Sequence, residues 1–323
     1  MRMAEAPDSQ RHPRIAVAIP CYDEEPTIAK VVGDFRAAIP EADIVVFDND
    51  SSDRTADEAR AAGARVLPEH RRGKGFVVQS MFRRIDADVV VMVDGDDTYP
   101  ADAVRALVEP VLRGEADMVV GSRLQRGAAS QFRFVNRFGN RLLLGVLNAV
   151  FRVRLTDLLS GYRAFSRRLV RALPLAGGGF EIEAELTIKT LQRGFVIREV
   201  PVALIQRPPG SHSKIRILRD GVLILSTILA LFRDYKPLTF FGAIGLALVA
   251  VGLVPGAVVV VEFARTGLVQ RLPSALLAVG LILAGVVVGA VGLVLHATAR
   301  RFQELEVLVH RLAHDETDQA DRN

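Results

Sequence analysis

Three carboxylates, Asp94, Asp96 and Asp97, stand within four residues at the end of the apolar run VVVMV. Acids this close repel one another unless a cation lies between them. Hard oxygen ligands of this kind suit Mg2+ or Mn2+, shared with the phosphates of a substrate. The stretch DGDDTYP therefore reads as a metal-binding turn with Asp94, Asp96 and Asp97 as ligands. Gly95 lets the backbone fold back tightly, and Pro100 fits the first turn of a following helix. A solvated acidic turn is the bland alternative.

The elements that must hold this turn alternate between two periodicities. RIAVAIP (14–20), DIVVFD (43–48), ARVLPE (64–69), DVVVMVD (88–94) and DMVVGS (117–122) read as strands. Their continuous apolar runs are those of parallel strands covered on both faces. Pro26–Ala38, Asp53–Ala62, Gly75–Ile85 and Ala101–Arg113 read as helices between them. Such alternation predicts an α/β domain with a mostly parallel sheet, and ligands then bind beyond the carboxyl ends of the strands. Tyr22–Glu25, Asp48–Asp50, Glu69–Lys74 and Asp94–Thr98 all fall at that edge. A dinucleotide site would need G-x-G-x-x-G after the first strand, where PCYDEEPTI has no glycine, so a dehydrogenase is excluded.

The rest of the chain points to a membrane. Pro237–Val261 and Leu272–Ala299 contain no charged residue. The first run alone gives a helix of roughly 37 Å against a hydrocarbon core of about 30 Å. Two spans, about 238–261 and 273–298, follow. Lys214, Arg216, Arg219, Arg233 and Lys236 precede them, and Arg300, Arg301 and Arg311 come after. This bias predicts both termini on the cytoplasmic side of the inner membrane and a short external hairpin. IRILRDGVLILSTILALFRDY, within 215–236, reads as interfacial amphipathic helices. The net charge of +4 is accounted for by these flanking residues, and no zinc-finger or RNA-binding motif supports nucleic acid. The single cysteine, Cys21, excludes an intramolecular disulfide and fits a reducing compartment. The expected organisation is a disordered segment 1–13, a catalytic domain 14–214, the interfacial segment, the hairpin 237–299 and a cytoplasmic tail 300–323, disordered beyond Asp315.

PCYDEE, DNDSSDRT, RRGKG, DGDDTYP, GSR, TDLLSGYRAF and RPPGSHSK occur in the order found in family-2 glycosyltransferases of the GT-A fold. Over residues 14–220 the chain resembles polyprenyl-phosphate glycosyltransferases, the group that includes dolichyl-phosphate mannose synthase. The resemblance implies a Rossmann-like GT-A domain. Pro20, Tyr22 and Glu24 would line the nucleotide pocket, Asp48 would receive the base, and Asp50 and Ser51 would lie nearby. Gly73, Lys74 and Gly75 would face the nucleotide. Asp94 and Asp96 would hold the metal and, through it, the diphosphate, with Gly95 between them at the nucleotide sugar. Arg123, Arg133 and Arg137 are the expected arginines for the acceptor phosphate, with Asn136, Ser160 and Arg163 beside them. Asp157 would orient the acceptor or the sugar. Arg207, Ser211, Ser213 and Lys214 would form a basic loop over the diphosphate, and Glu181 and Glu183 would reach the sugar or lie as surface acids at a helix start.

The implied reaction is an inverting, metal-dependent transfer of a hexose from a nucleotide-diphosphate sugar to polyprenyl phosphate. UDP-sugar is the preferred donor, with GDP-mannose as the alternative. Tetramers occur among similar proteins, so a homo-oligomer is expected as an option. A processive polysaccharide synthase would need a Q-x-x-R-W motif, and the chain has no tryptophan. A nucleotide-sugar-binding scaffold without turnover would show a broken metal motif or lost arginines, and neither loss is present.

Overall fold

The computed structural model describes residues 12–123, 144–145, 147–148, 153–179, 182–205, 226, 229–230, 232–234 and 236–320. The chain divides into two units, Met1–Ile228 and Leu229–Asn323.

The first unit is built on one seven-stranded sheet, in the order β3-β2-β1-β4-β6-β5-β7. Its strands are β1 (Ile15–Cys21), β2 (Asp43–Asp48), β3 (Arg65–Pro68), β4 (Val89–Met92), β5 (Met118–Ser122), β6 (Arg163–Ser166) and β7 (Ile197–Pro201). All neighbouring pairs are parallel except those of β6, which runs antiparallel to both β4 and β5. The helices are α1 (Ile28–Ala38), α2 (Thr55–Ala61), α3 (Lys74–Arg84), α4 (Val104–Leu112), α5 (Arg167–Ala172) and α6 (Ile182–Gln192). A 3₁₀ turn, Ala101–Ala103, leads into α4 after Pro100, as the proline at that position predicts.

Alternate residues of each strand feed two apolar layers. Val17, Ile19, Val46 and Val91 face one side with Phe35 and Leu107. Ala18, Val45, Phe47 and Met92 face the other with Met81 and Phe165. This period of two across a doubly covered sheet is why the middle strands carry almost no polar residue. The register sets Cys21 beside Asp48 and Asp48 beside Pro68, so the loops after β1, β2 and β3 leave from one edge.

The second unit contains α7 (Pro237–Thr266) and α8 (Leu272–Ala320). Pro237 opens α7 at a position where its missing N–H costs nothing, and Gly267 closes it with φ 68°. Two 30-residue stretches, Pro237–Thr266 and Leu272–Arg301, are long and apolar enough to cross a membrane. Their backbones meet through glycine: a Cβ on Gly245 would lie 2.6 Å from the Gly285 carbonyl oxygen, and the reverse holds too. α8 continues to Ala320, whereas the tail beyond Asp315 was expected to be disordered. No glycine or proline interrupts the chain between Gly292 and Ala320, so nothing local stops the helix. The expected interfacial segment 215–236 lies largely outside the described residues; Phe232–Asp234 within it is helical.

Candidate active site

The carboxyl edge of the sheet gathers acids in strained backbone. Asp23, Asp50 and Asp97, in the loops after β1, β2 and β4, adopt the left-handed conformation with φ of 48°, 60° and 57°. For residues with a Cβ this costs of order 1 kcal/mol or more each, although aspartate tolerates it better than most. Hydrogen bonds hold each loop. The Asp23 amide donates to Ser51 Oγ (3.0 Å), and Asp23 Oδ1 accepts from the Ser52 amide (2.7 Å). Glu24 is nearly buried, and its amide donates to Thr55 Oγ1 (2.7 Å). Thr27 Oγ1 donates to the Gly95 carbonyl (2.7 Å), tying the start of α1 to the DGDD turn.

At the end of β2, Asp48 Oδ1 is buried with no hydrogen-bond partner among the described residues. Asn49 beside it is the organiser of the next loop. Its amide nitrogen donates to the carbonyls of Glu69 and Arg71, each at 2.8 Å, and its oxygen accepts from the Gly73 amide at 2.8 Å. The Arg72 guanidinium lies 5.2 Å over the Tyr22 ring and donates to the Tyr22 hydroxyl (3.2 Å). Pro20, at the end of β1, is half-buried at the same edge.

The RRGKG loop is packed backbone to backbone. Gly73 has φ 135°, and a Cβ there would lie 2.0 Å from the Gly178 carbonyl oxygen. A Cβ on Gly75 would lie 2.1 Å from the carbonyl oxygen of Gly177. Only glycine fits either place. Lys74 between them does not stand open to a ligand: its Nζ lies 2.6 Å from Asp94 Oδ1 and 2.6 Å from Glu183 Oε1. Burial works against the ammonium, but the two carboxylates more than offset it and raise its pKa. In this structure the Lys74 ammonium, expected to face the nucleotide, is thus paired with two carboxylates. Glu183, on the buried helix α6, is a core acid rather than a surface one. Glu181 lies outside the described residues.

Asp94 is seated against Gly161, where a Cβ would come within 2.4 Å of its Oδ2. Gly161 is fixed in turn by its amide, which donates to the Tyr99 hydroxyl at 3.0 Å. Asp96 Oδ1 accepts from the Thr98 amide (3.2 Å) and hydroxyl (2.5 Å). Asp97 turns elsewhere and pairs with Lys30 Nζ of α1 at 2.9 Å. Among the described residues, no three Asp, Glu, His or Cys side chains come together to hold a metal. Of the three expected carboxylates, Asp97 is the one that the left-handed turn brings to Lys30.

Arg123, just beyond β5, makes a two-pronged pair with Asp157: Nε to Oδ2 at 2.7 Å and Nη2 to Oδ1 at 2.9 Å. The Asp157 side chain is 0% exposed. Burial pushes its pKa up, but the hydrogen bonds and charge of Arg123 outweigh this and hold it below the usual carboxylate value. Glu199 of β7 supports the pair from behind, accepting from the amides of Thr156 (2.8 Å) and Asp157 (3.0 Å). Ser160 is buried and donates to the Gly121 carbonyl (2.6 Å). Arg163 is fully buried and donates to the carbonyls of Ser160 (2.8 Å) and Leu158 (2.6 Å) and to Thr187 Oγ1 (2.8 Å). Ser160 and Arg163, expected at the acceptor, instead brace the loop before β6. Arg133, Asn136, Arg137, Arg207, Ser211, Ser213 and Lys214 lie outside the described residues.

The edge thus assembles Asp48, Asp94, Asp96, Lys74 and the Arg123–Asp157 pair. Asn49, Tyr99 and Gly161, which help position them, lie inside the quoted motifs but carry no role in the sequence reading, and Glu199 and Lys30, the partner of Asp97, lie outside those motifs. Gly161 had a signal, since a glycine inside a motif marks a close approach; Glu199 had none.

Solved structures share this arrangement of sheet and helices. Glucosyl-3-phosphoglycerate synthase from Mycobacterium tuberculosis, in complex with Mn2+, UDP and glucosyl-3-phosphoglycerate, matches with a TM-score of 0.57 and 27% identity over 68% of this chain and 80% of that one. The catalytic unit is therefore of the GT-A type. Residues 16–173 match the model of glycosyl transferase family 2. Glycosyltransferase AglJ of Haloferax volcanii is 34% identical over 240 residues, covering 74% of this chain and 78% of that protein. The dolichyl-phosphate hexose transferase of the same organism is 33% identical over 215 residues, 66% of this chain and 92% of that one. The chain belongs to glycosyl transferase family 2, and it is a glycosyltransferase.

Proposed function

We propose that the protein transfers a hexose from a nucleotide-diphosphate sugar, UDP-sugar first, to polyprenyl phosphate at the cytoplasmic face of the membrane, with inversion at the anomeric carbon. The observation that carries this reading is the presence, in one chain, of a family-2 site and two helices of membrane-spanning length. A transferase held at the membrane suits a lipid acceptor, and the similarity to a dolichyl-phosphate hexose transferase adds to it.

The unpartnered Asp48 Oδ1 is matched to an N–H of the base, and Tyr22, Glu24, Asp50 and Ser51 line the loops around it. Asp94 and Asp96 offer two hard oxygen ligands, with the diphosphate and water completing the shell. That donor set fits Mg2+ or Mn2+. Bound there, the ion supplies positive charge against the charge that grows on the leaving diphosphate.

The acceptor's phosphate oxygen forms the new bond to the anomeric carbon as the bond to the nucleotide diphosphate breaks, and the diphosphate leaves with the electron pair. A phosphate monoester, with a second pKa of about 6, is already largely dianionic at pH 7 and needs no base. Asp157 matches that economy. It is ionised, enclosed and committed to Arg123, so it orients the guanidinium and takes no proton. Arg123 is then the described residue that would hold the acceptor phosphate, with Arg133, Arg137 and Asn136 proposed beside it, and Arg207, Ser211, Ser213 and Lys214 over the diphosphate.

The test uses purified full-length protein with undecaprenyl phosphate, Mg2+ and a panel of labelled nucleotide sugars. One label should enter the lipid phase, and both EDTA and Asp96→Asn should abolish it. Label in a polysaccharide, or in no lipid with any donor, removes the acceptor assignment.

A further inference from the structure

Lys74 occupies an awkward position if Asp94 binds a cation. Its ammonium already sits 2.6 Å from Asp94, where it would repel a divalent ion approaching the same carboxylate. The same ammonium is 2.6 Å from Glu183, whose side chain is 5% exposed. Lys74, Asp94 and Glu183 together carry one net negative charge.

The backbone around this trio is fixed. Gly73 and Gly75 are wedged against Gly177 and Gly178 on one side of Lys74. Glu183 sits on a stretch of α6, Ile182–Thr190, that is buried throughout. Glu185, two residues on and so toward the other side of α6, accepts from the amides of Ala176 (2.9 Å) and Gly177 (2.7 Å), so the glycine segment and α6 are pinned to each other. What remains free to shift is the four-carbon stem of Lys74.

We infer that Lys74 is a shared counter-charge that stands in for the metal at Asp94, and that Glu183 is the positioning residue that takes the ammonium over when a divalent cation binds. An ammonium in this enclosed place cannot be left without a carboxylate. With Glu183 present, Lys74 can release Asp94 and still be paired. Without Glu183, Lys74 has only Asp94, and it blocks the cation. The arrangement explains why an acid is buried in α6 with no ligand-facing surface of its own. The inference rests on the reading of Asp94 as a metal ligand.

The experiment is an Mn2+ titration of the full chain in detergent with saturating UDP, following free Mn2+ by its EPR signal against a blank of UDP without protein. Glu183→Gln should raise the Mn2+ dissociation constant about tenfold, the size of effect expected for one charge in a partly buried site. The double variant Lys74→Met/Glu183→Gln should return binding to the wild-type level or tighter, a rescue that a damaged fold cannot give. Lys74→Met alone should bind Mn2+ no more weakly than wild type. Unchanged affinity in Glu183→Gln, an unrescued double variant, or weaker binding by Lys74→Met each overturns the inference. If instead the wild type binds no Mn2+, or Asp94→Asn binds it as well as wild type, the metal-ligand reading itself fails.

Discussion

Arg123 and Asp157 show how much a single residue's surroundings decide its work. Lysine at position 123 would keep the charge but lose the planar fork that meets both carboxylate oxygens. Arg123→Lys is expected to lower kcat/KM roughly 100-fold while the protein stays folded, measured by lipid-phase transfer and thermal unfolding together. Arg123→Ala goes further, because it leaves Asp157 ionised and enclosed with no counter-charge, met only by the backbone amides of residue 123 and Leu159. A loss of about 3–5 kcal/mol of stability is expected from that variant. Glu69 gives a pH signature. Hydrogen bonds from Arg71 hold its carboxyl at about 2, against an ordinary 4.5. A group depressed on folding stabilises the protein above its unfolded pKa and loses that contribution as pH falls through the folded value. Part of the fold's stability should therefore drain away between pH 4.5 and 2. Glu69→Gln should flatten that stretch of an acid-unfolding curve followed by circular dichroism.

Elements explain what the sequence made legible and what it hid. β1, β2, β4 and β5 are runs of Val, Ile, Met and Ala with almost no polar residue, so their burial on both faces could be read directly. β6 begins at Arg163, a charge that in most settings marks a surface, and its guanidinium is met by the carbonyls of the preceding loop, Leu158 and Ser160, and by Thr187 and Met118 from distant elements. Helix α6 misleads in the same way, since Glu183, Glu185 and Lys189 are buried because they pair with Lys74 and with one another. Likewise DGDD displays three acids, but only the approach of Lys30 from α1 removes Asp97 from the set. These partners are set by tertiary contacts, which no local spacing encodes. The Gly161 turn before β6 offers a probe of element placement. Alanine there must push the Asp94 carboxylate aside, a displacement near 1 Å that can cost about 100-fold in rate. Gly161→Ala should lose transfer activity with its unfolding temperature nearly unchanged; a large fall in that temperature would count against this reading.

At the scale of the whole molecule, the two long helices make a topological prediction. If both ends are cytoplasmic, as proposed, the short turn between Thr266 and Leu272 faces outward. Cys21 is buried and gives little background labelling. A cysteine at Val269 should therefore react with a membrane-impermeant maleimide added to intact cells. Labelling only after lysis would invert the assigned orientation. Gly245 and Gly285, whose backbones touch, make the hairpin a tight pair, and leucine at either position should force the helices apart.

The order in which the strands lie also governs how the chain comes together in time. β5 touches no earlier strand: its neighbours are β6 and β7, and β6 alone joins it to β4. A ribosome that has released residues up to Arg123 has released Asp94 as well, yet nothing holds the two in one sheet. Only when Arg163–Ser166 emerges and slots between β4 and β5 does the second half of the site join the first. Synthesis therefore passes through a window in which β4 has an open edge, and nascent chains halted between residues 123 and 162 should be the ones most dependent on chaperones.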